Sequence, residues 1–128
     1  MRYLFLTLCL LFSWPQASWS ADTGPVVKED VELQQARNQI AKKDWSAAVS
    51  GLENYTRGNA SSADGFNLLG YSYRNLQRYD ESLVAYKKAL AIDPKHRGAH
   101  EYIGMAYLQM GQTPNAKTHL DALDKIYF

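Results

Sequence analysis

From Glu29 to the end of the chain, apolar residues recur at helical spacing, and the arrangement itself recurs. Leu83, Tyr86, Ala89 and Leu90 fall at i, i+3, i+6 and i+7, one apolar face of a helix. Blocks opened at Glu29, Ala63 and Arg97 align without insertions, a period of 34 residues. Gly70 and Gly104 occupy one slot, taken by Ala36 in the first block, and Tyr73 matches Tyr107. Ala48, Ser82 and Ala116 form a column of small residues, while Leu52, Tyr86 and Leu120 form a large apolar one.

Each block breaks into two helices, A and B. In the middle block Ser61-Ser62-Ala63-Asp64 offers a capping-box-like start, and helix A is predicted to run to about Leu76. A turn at Gln77-Arg78 follows. Asp80 and Glu81 then place negative charge on the first turn of helix B, where the helix dipole favours it, and Asp93-Pro94 ends that helix. In the third block Gly111 ends helix A, and Thr113-Pro114 supplies an N-cap with proline at the first helical position.

A glycine inside a helix costs about 1 kcal/mol relative to alanine, so its recurrence at one spacing needs a packing reason. Two antiparallel helices approach closely only where a side chain is very small. Gly70 is therefore expected to face Ser82, and Gly104 to face Ala116, with Tyr73 and Tyr107 filling the wider end of each wedge.

These residues resemble the tetratricopeptide repeat family. The middle block carries the likeness most fully, with Phe66 in the usual tryptophan place, Leu69-Gly70, Tyr73, Ser82 for the usual alanine, Tyr86, Ala89 and Pro94. The third block keeps Ile103-Gly104, Tyr107 and Ala116, but His100 replaces the large aromatic and Leu123 the second alanine. The first keeps Trp45, Ala48 and Leu52, with Ala36 and Gln39 in place of glycine and tyrosine, as expected of a terminal repeat that packs on one side. The resemblance implies an all-α fold: a right-handed helix-turn-helix solenoid of three tetratricopeptide-like repeats, 29–62, 63–96 and 97–128.

Ahead of the repeats, residues 1–20 read as a signal peptide. Arg2 gives a positive start, Tyr3 to Phe12 is an apolar run, Pro15 breaks it, and Ser18-Trp19-Ser20 precedes an expected cut before Ala21. The run is shorter than the ~20 apolar residues of a membrane span, so no stable span is expected after cleavage. Cys9 follows Leu8, where a lipid-attachment site wants a small residue, and so is not read as one. Residues 21–28, ADTGPVVK, form a short leader.

Removing the signal leaves 13 basic and 13 acidic side chains and no cysteine. A neutral balance gives no electrostatic footprint for nucleic acid, and a small exported chain without thiols must rely on packing alone. No cofactor or metal site is read. His96 and His100 are four apart, but Pro94 puts His96 at the helix start and His100 falls in a packing column. No nucleophile elbow or phosphate loop is present, so the chain is not read as an enzyme. The sequons at Asn54 and Asn59 are attributed to chance composition, because the whole fits a bacterial periplasm or secretion.

In the resembled family, helix A lines the concave surface. The 3.6-residue period then assigns the face of helix A turned away from helix B. It carries Asn67, Tyr71, Arg74 and Asn75 in the middle block, Glu101, Tyr102, Met105 and Leu108 in the third, and Leu33, Arg37 and Ile40 in the first. Tyr, Met and Arg together are enriched at binding surfaces, which marks a partner-binding groove for an extended or helical peptide. The family's carboxylate clamp for chaperone tails is absent, since its positions hold Leu33, Arg37, Leu68, Gly98 and Tyr102.

The function expected from the sequence is a non-enzymatic protein- or peptide-binding adaptor or scaffold of the bacterial cell envelope. One alternative is a structural repeat protein that forms homo-oligomers through an uncovered C-terminal end at Ile126, Tyr127 and Phe128. Another is an accessory subunit or carbohydrate-binding module of a cell-wall enzyme, with groove aromatics stacking on sugars.

Overall fold

The structure is a computed structural model and describes residues 30–128. The expected signal segment 1–20, its cut after Ser20, Cys9 and the leader 21–28 lie outside the described residues. Six helices follow one another: α1 (Val31–Ala41), α2 (Trp45–Gly58), α3 (Ala63–Asn75), α4 (Tyr79–Ile92), α5 (Arg97–Gln109) and α6 (Thr113–Tyr127). They pair as α1/α2, α3/α4 and α5/α6 and stack into an all-α, right-handed solenoid with no strand among the described residues. Helix α3 packs against α1, α2, α4 and α5, whereas α6 packs against α5 alone.

The helix starts follow their capping residues. Asp44, Ser62 and His96 each accept a hydrogen bond from the backbone N–H three residues on, at 3.2, 3.1 and 3.0 Å. In the middle pair Ser62, rather than Ser61, is the cap. Helix α6 begins one residue earlier than expected: Gln112 is its N-cap and Thr113 is already helical, with Pro114 in the first turn, where its missing N–H has no partner to lose.

The A-to-B turns repeat as strictly as the helices. Lys43, Gln77 and Gly111, each 34 residues from the next, adopt left-handed φ values of 58°, 60° and 72°. The following N–H of Asp44, Arg78 and Gln112 returns to the carbonyl five residues back, on Gln39, Tyr73 and Tyr107, at 2.9, 2.9 and 2.8 Å. This is the Schellman closure of a helix C-terminus, which favours glycine; only the third turn has one.

Gly70 and Gly104 meet the expected Ser82 and Ala116, but the packing reason for glycine needs correction at both sites. Ser82 does reach Gly70, donating its hydroxyl to the Gly70 carbonyl at 2.8 Å. The group that fills the space above Gly70, however, is the ring of Tyr86, which is fully buried. A Cβ at position 70 would lie 2.7–3.0 Å from three of its ring atoms. At Gly104 a Cβ would meet the Ala116 carbonyl and the His119 Cβ at 3.8 Å, ordinary contact, so packing does not demand glycine there. The tyrosines also do different work from that expected. Tyr73 donates its hydroxyl to Glu53 on α2 and lies beneath the Arg78 guanidinium, 4.6 Å from its ring centroid. Burial, together with the bond to Glu53, pushes its phenol up to about 12. Tyr107 stacks on His119 at 5.8 Å.

Two core clusters result. One joins α1, α2 and α3 and reaches Ala85, Ala89 and Ala99. The other is built around Tyr86, Ile103, Ala106, Tyr107 and Ala116, with Tyr71 and Tyr102 packed against it.

Candidate functional site

The residues expected to line the helix-A face fall into four settings. Tyr71 and Tyr102 are half-buried and belong to an aromatic row. Trp45, at the start of α2, meets Tyr71 edge-on at 5.8 Å; Tyr71 meets Tyr102 at 5.0 Å, and Tyr102 meets Tyr86 at 6.5 Å. The Arg74 guanidinium lies 5.3 Å from the Tyr71 ring centroid and 5.8 Å from that of Tyr102, within cation–π range of both.

Arg74 and Asn67 depart from the open face on which the sequence placed them: they are 8% and 7% exposed. Helix α5 covers that flank of α3, so side chains one helical period would turn to solvent are enclosed between repeats. Enclosure leaves three buried polar atoms without a hydrogen-bond partner, Asn67 Oδ1, Arg74 Nε and Tyr86 Oη. No carboxylate among the described residues pairs with Arg74. Burial drives the Tyr86 phenol well above its ordinary range, with the Arg74 charge pulling the other way. The arrangement is a buried cation held by ring faces and lacking an anion.

Arg37 and Asn75 are exposed. Arg37 Nη2 lies 3.9 Å from Asp64 Oδ2, and the Asn75 amide donates to the Tyr71 carbonyl at 2.8 Å. Asp64 Oδ1 also meets His96 Nε2 at 2.8 Å. Since His96 Nδ1 accepts from the Ala99 N–H, Nε2 carries the proton and donates to Asp64. The Arg37–Asp64–His96 chain thus crosses all three helix pairs along one edge. Asp64 and His96 had been read only as helix-start residues. Their separation, two short of the repeat period, is the signal that would have brought them together.

Glu101, Met105 and Leu108 are exposed and belong elsewhere, to an apolar trough of about 470 Å³ between α5 and α6. Gly104, Ala116, Leu120 and Leu123 complete its floor and walls. Met105, Leu108 and Leu120 are 43, 57 and 59% exposed. This trough adds to the exposed apolar side chains of Tyr127 and Phe128 at the C-terminal end. Tyr127 is engaged by Arg97, whose Nε donates to its hydroxyl at 2.8 Å.

At the base of α5, His100 Nε2 donates to the Pro94 carbonyl at 2.8 Å. His100 Nδ1 is then an acceptor, and His119 Nδ1–H donates to it at 3.0 Å, joining α5 to α6. Burial first, and then the neighbouring His100 ring and the Lys87 ammonium, lower the His119 imidazole below its ordinary 6.5. Sequence spacing carried no sign of this pair. Among the described residues no group of three or more His, Cys, Asp or Glu side chains could hold a metal ion, and no helix is long and apolar enough to cross a membrane.

Comparison with known proteins matches residues 63–96 and 99–127 to tetratricopeptide repeat models. Protein bimA of Emericella nidulans is 29% identical over 85 residues, covering 66% of this chain and 10% of that protein. Among solved structures, MamA (MSR-1) superposes with a TM-score of 0.70 at 25% identity, covering 75% of this chain and 55% of that one. The type III secretion translocator chaperone SycD of Yersinia enterocolitica superposes with a TM-score of 0.72 at 18% identity, over 75% and 66% of the two chains. The chain therefore spans a small part of its curated relative and little over half of the MamA chain.

Proposed function

The chain belongs to the tetratricopeptide-repeat family, and we propose that it serves as a binding adaptor, without catalysis of its own, that holds a protein segment against its helix-A face through an acidic group of that segment. The observation that carries this reading is Arg74. A buried guanidinium is ordinarily paired, because an unpaired buried charge is costly. Here it is flanked by Tyr71 and Tyr102 and has no acid to answer it. Tyr71, which is half-buried, stands beside it in the aromatic row. A carboxylate that reaches the guanidinium gains a charge-assisted hydrogen bond, while Asn75, which is exposed, supplies a polar rim contact. The recognition differs from the chaperone-tail clamp, whose positions lack the necessary residues. It also leaves little for a sugar, because the Tyr71 and Tyr102 rings are turned toward each other and toward Arg74.

Placement in the cell envelope belongs to the same proposal and rests on the apolar start, Tyr3 to Phe12, ahead of Ser18-Trp19-Ser20. The test is a titration with a tetraglutamate peptide and its tetraglutamine counterpart, followed through the Arg74 Nε–H resonance. The acidic peptide should bind at least ~10-fold more tightly, a difference that ion pairing of this kind supplies, and Arg74→Gln should remove the difference. Equal binding of the two peptides, or none, overturns the reading.

A further inference from the structure

We propose that the α5–α6 trough docks against the same trough of a second copy of this chain, face to face about a two-fold axis. Inside the array the equivalent trough, between α3 and α4, is already filled. There α5 inserts Tyr102 against Tyr71 and Tyr86. Moved one period along, those lining positions become Met105 and Leu120, with Leu108 in the slot of Arg74. Tyr86 is fully buried in its trough, whereas Leu120 stands 59% exposed, since no described helix covers it. The three exposed side chains adjoin one another in a single concavity, and a contiguous apolar surface of this kind marks an interaction site.

The opposite end of the solenoid decides the geometry. If copies stacked head to tail, the trough would receive the outer face of α1. That face presents Val31, Gln34, Gln35 and Asn38, with the Gln34 amide donating to Asn38 at 3.5 Å. Pressing these amides against leucines would strand polar groups without partners. One end of the array is polar and the other apolar, so only the apolar end can meet its own kind, and such an isologous contact closes at two copies. The trough's polar rim suits this arrangement. Glu101 lies on the α5 wall and Lys117 on the α6 wall, so a two-fold axis brings the acid of one copy toward the base of the other, twice.

Sedimentation velocity of the purified chain over a concentration series tests this. The expected result is a monomer–dimer equilibrium that stops at the dimer. Leu108→Glu and Leu120→Glu, both at exposed positions, should weaken it at least ~10-fold, as loss of central apolar contacts does, with helix content by circular dichroism unchanged. Glu101→Lys should weaken the dimer by setting like charges face to face, and adding Lys117→Glu should restore it. A monomer at every concentration, masses that grow past the dimer, or a dimer indifferent to the leucine variants overturns the proposal. Failure of the charge pair to rescue overturns the face-to-face geometry. These masses are independent of the Arg74 titration, so either proposal can fail alone.

Discussion

Alanine at the two repeat glycines should move stability in opposite directions. At position 70 the new Cβ would sit 2.7 Å from Tyr86 Cδ1, 2.8 Å from Cε1 and 3.0 Å from Cγ. Contact at Cγ, the root of a fully buried ring, cannot be relieved by swinging a side-chain tip, so the ring or helix α4 must shift. Overpacking of this kind costs about 1–3 kcal/mol, and a contact this short belongs at the upper end. Alanine returns about 1 kcal/mol of helix propensity, so the net loss is about 2 kcal/mol. At position 104 the nearest atoms lie at 3.8 Å, the propensity gain stands alone, and Gly104→Ala should stabilise by up to about 1 kcal/mol. In a domain of about 100 residues, 1 kcal/mol moves Tm by about 4–8 °C, so the variants should melt on opposite sides of the parent. Thermal and urea unfolding followed at 222 nm, at concentrations low enough to keep the chain monomeric, reads both. Trimming the ring in Gly70→Ala/Tyr86→Leu should cost less than the sum of the two single changes. Two alanine variants that shift the same way would refute the packing argument.

Gln77→Gly should stabilise by about 0.5–1 kcal/mol, because a β-carbon is strained at its φ of 60°, while Gly111→Ala at φ 72° should cost a similar amount in the same urea assay. The lowered His119 pKa makes stability fall with pH: the neutral ring's contribution is complete above its unfolded value and is lost as pH drops from about 6.5 through the lower folded value. Urea midpoints at pH 7.5 and 5.5 should show that loss, and His119→Phe, which keeps a ring beside Tyr107, should flatten it. Arg74→Met should leave the fold as stable or raise it by about 1 kcal/mol, since it removes a buried charge without an anion. A loss of several kcal/mol by Arg74→Met in urea unfolding would mean that the guanidinium is a structural tie. Tyr71→Ala, by contrast, should cost about 1–2 kcal/mol, because its ring packs between Trp45 and Tyr102.

The period and the helix pairs were legible in the sequence because each rests on spacing along one chain. What spacing cannot carry is the identity of the group across the interface. Gly70 and Gly104 share a slot, yet the opposing column holds Tyr86 in one pair and Leu120 in the next, so the same letter meets a hard constraint once and an open trough once. The left-handed turn was visible at Gly111 and hidden at Lys43 and Gln77, residues that give no sign of a positive φ. The covering of Asn67 and Arg74 depends on the rotation between repeats, which no single helix's period encodes. The His100–His119 contact joins an A helix to a B helix and leaves no local pattern, whereas the Asp64–His96 contact joins two A helices at a separation two short of the period.

The two proposed surfaces occupy the same columns of the repeat and differ in chemistry. Between α3 and α4 the trough positions are Tyr71, Arg74 and Tyr86, aromatic and cationic; between α5 and α6 they are Met105, Leu108 and Leu120, aliphatic and uncharged. The first set encloses a charge that a tightly packed array does not need, and its retention there is explained if an anion completes it. The second set cannot recruit an anion at all, and it offers only apolar area and a Glu101/Lys117 rim. One repeat geometry therefore supports two kinds of contact through substitution at three column positions. Grafting tests the separation directly: placing Tyr, Arg and Tyr at positions 105, 108 and 120 should abolish the dimer while leaving the tetraglutamate affinity of the Arg74 site unchanged. If dimerisation survives that exchange, the aliphatic trough is not what holds the copies together.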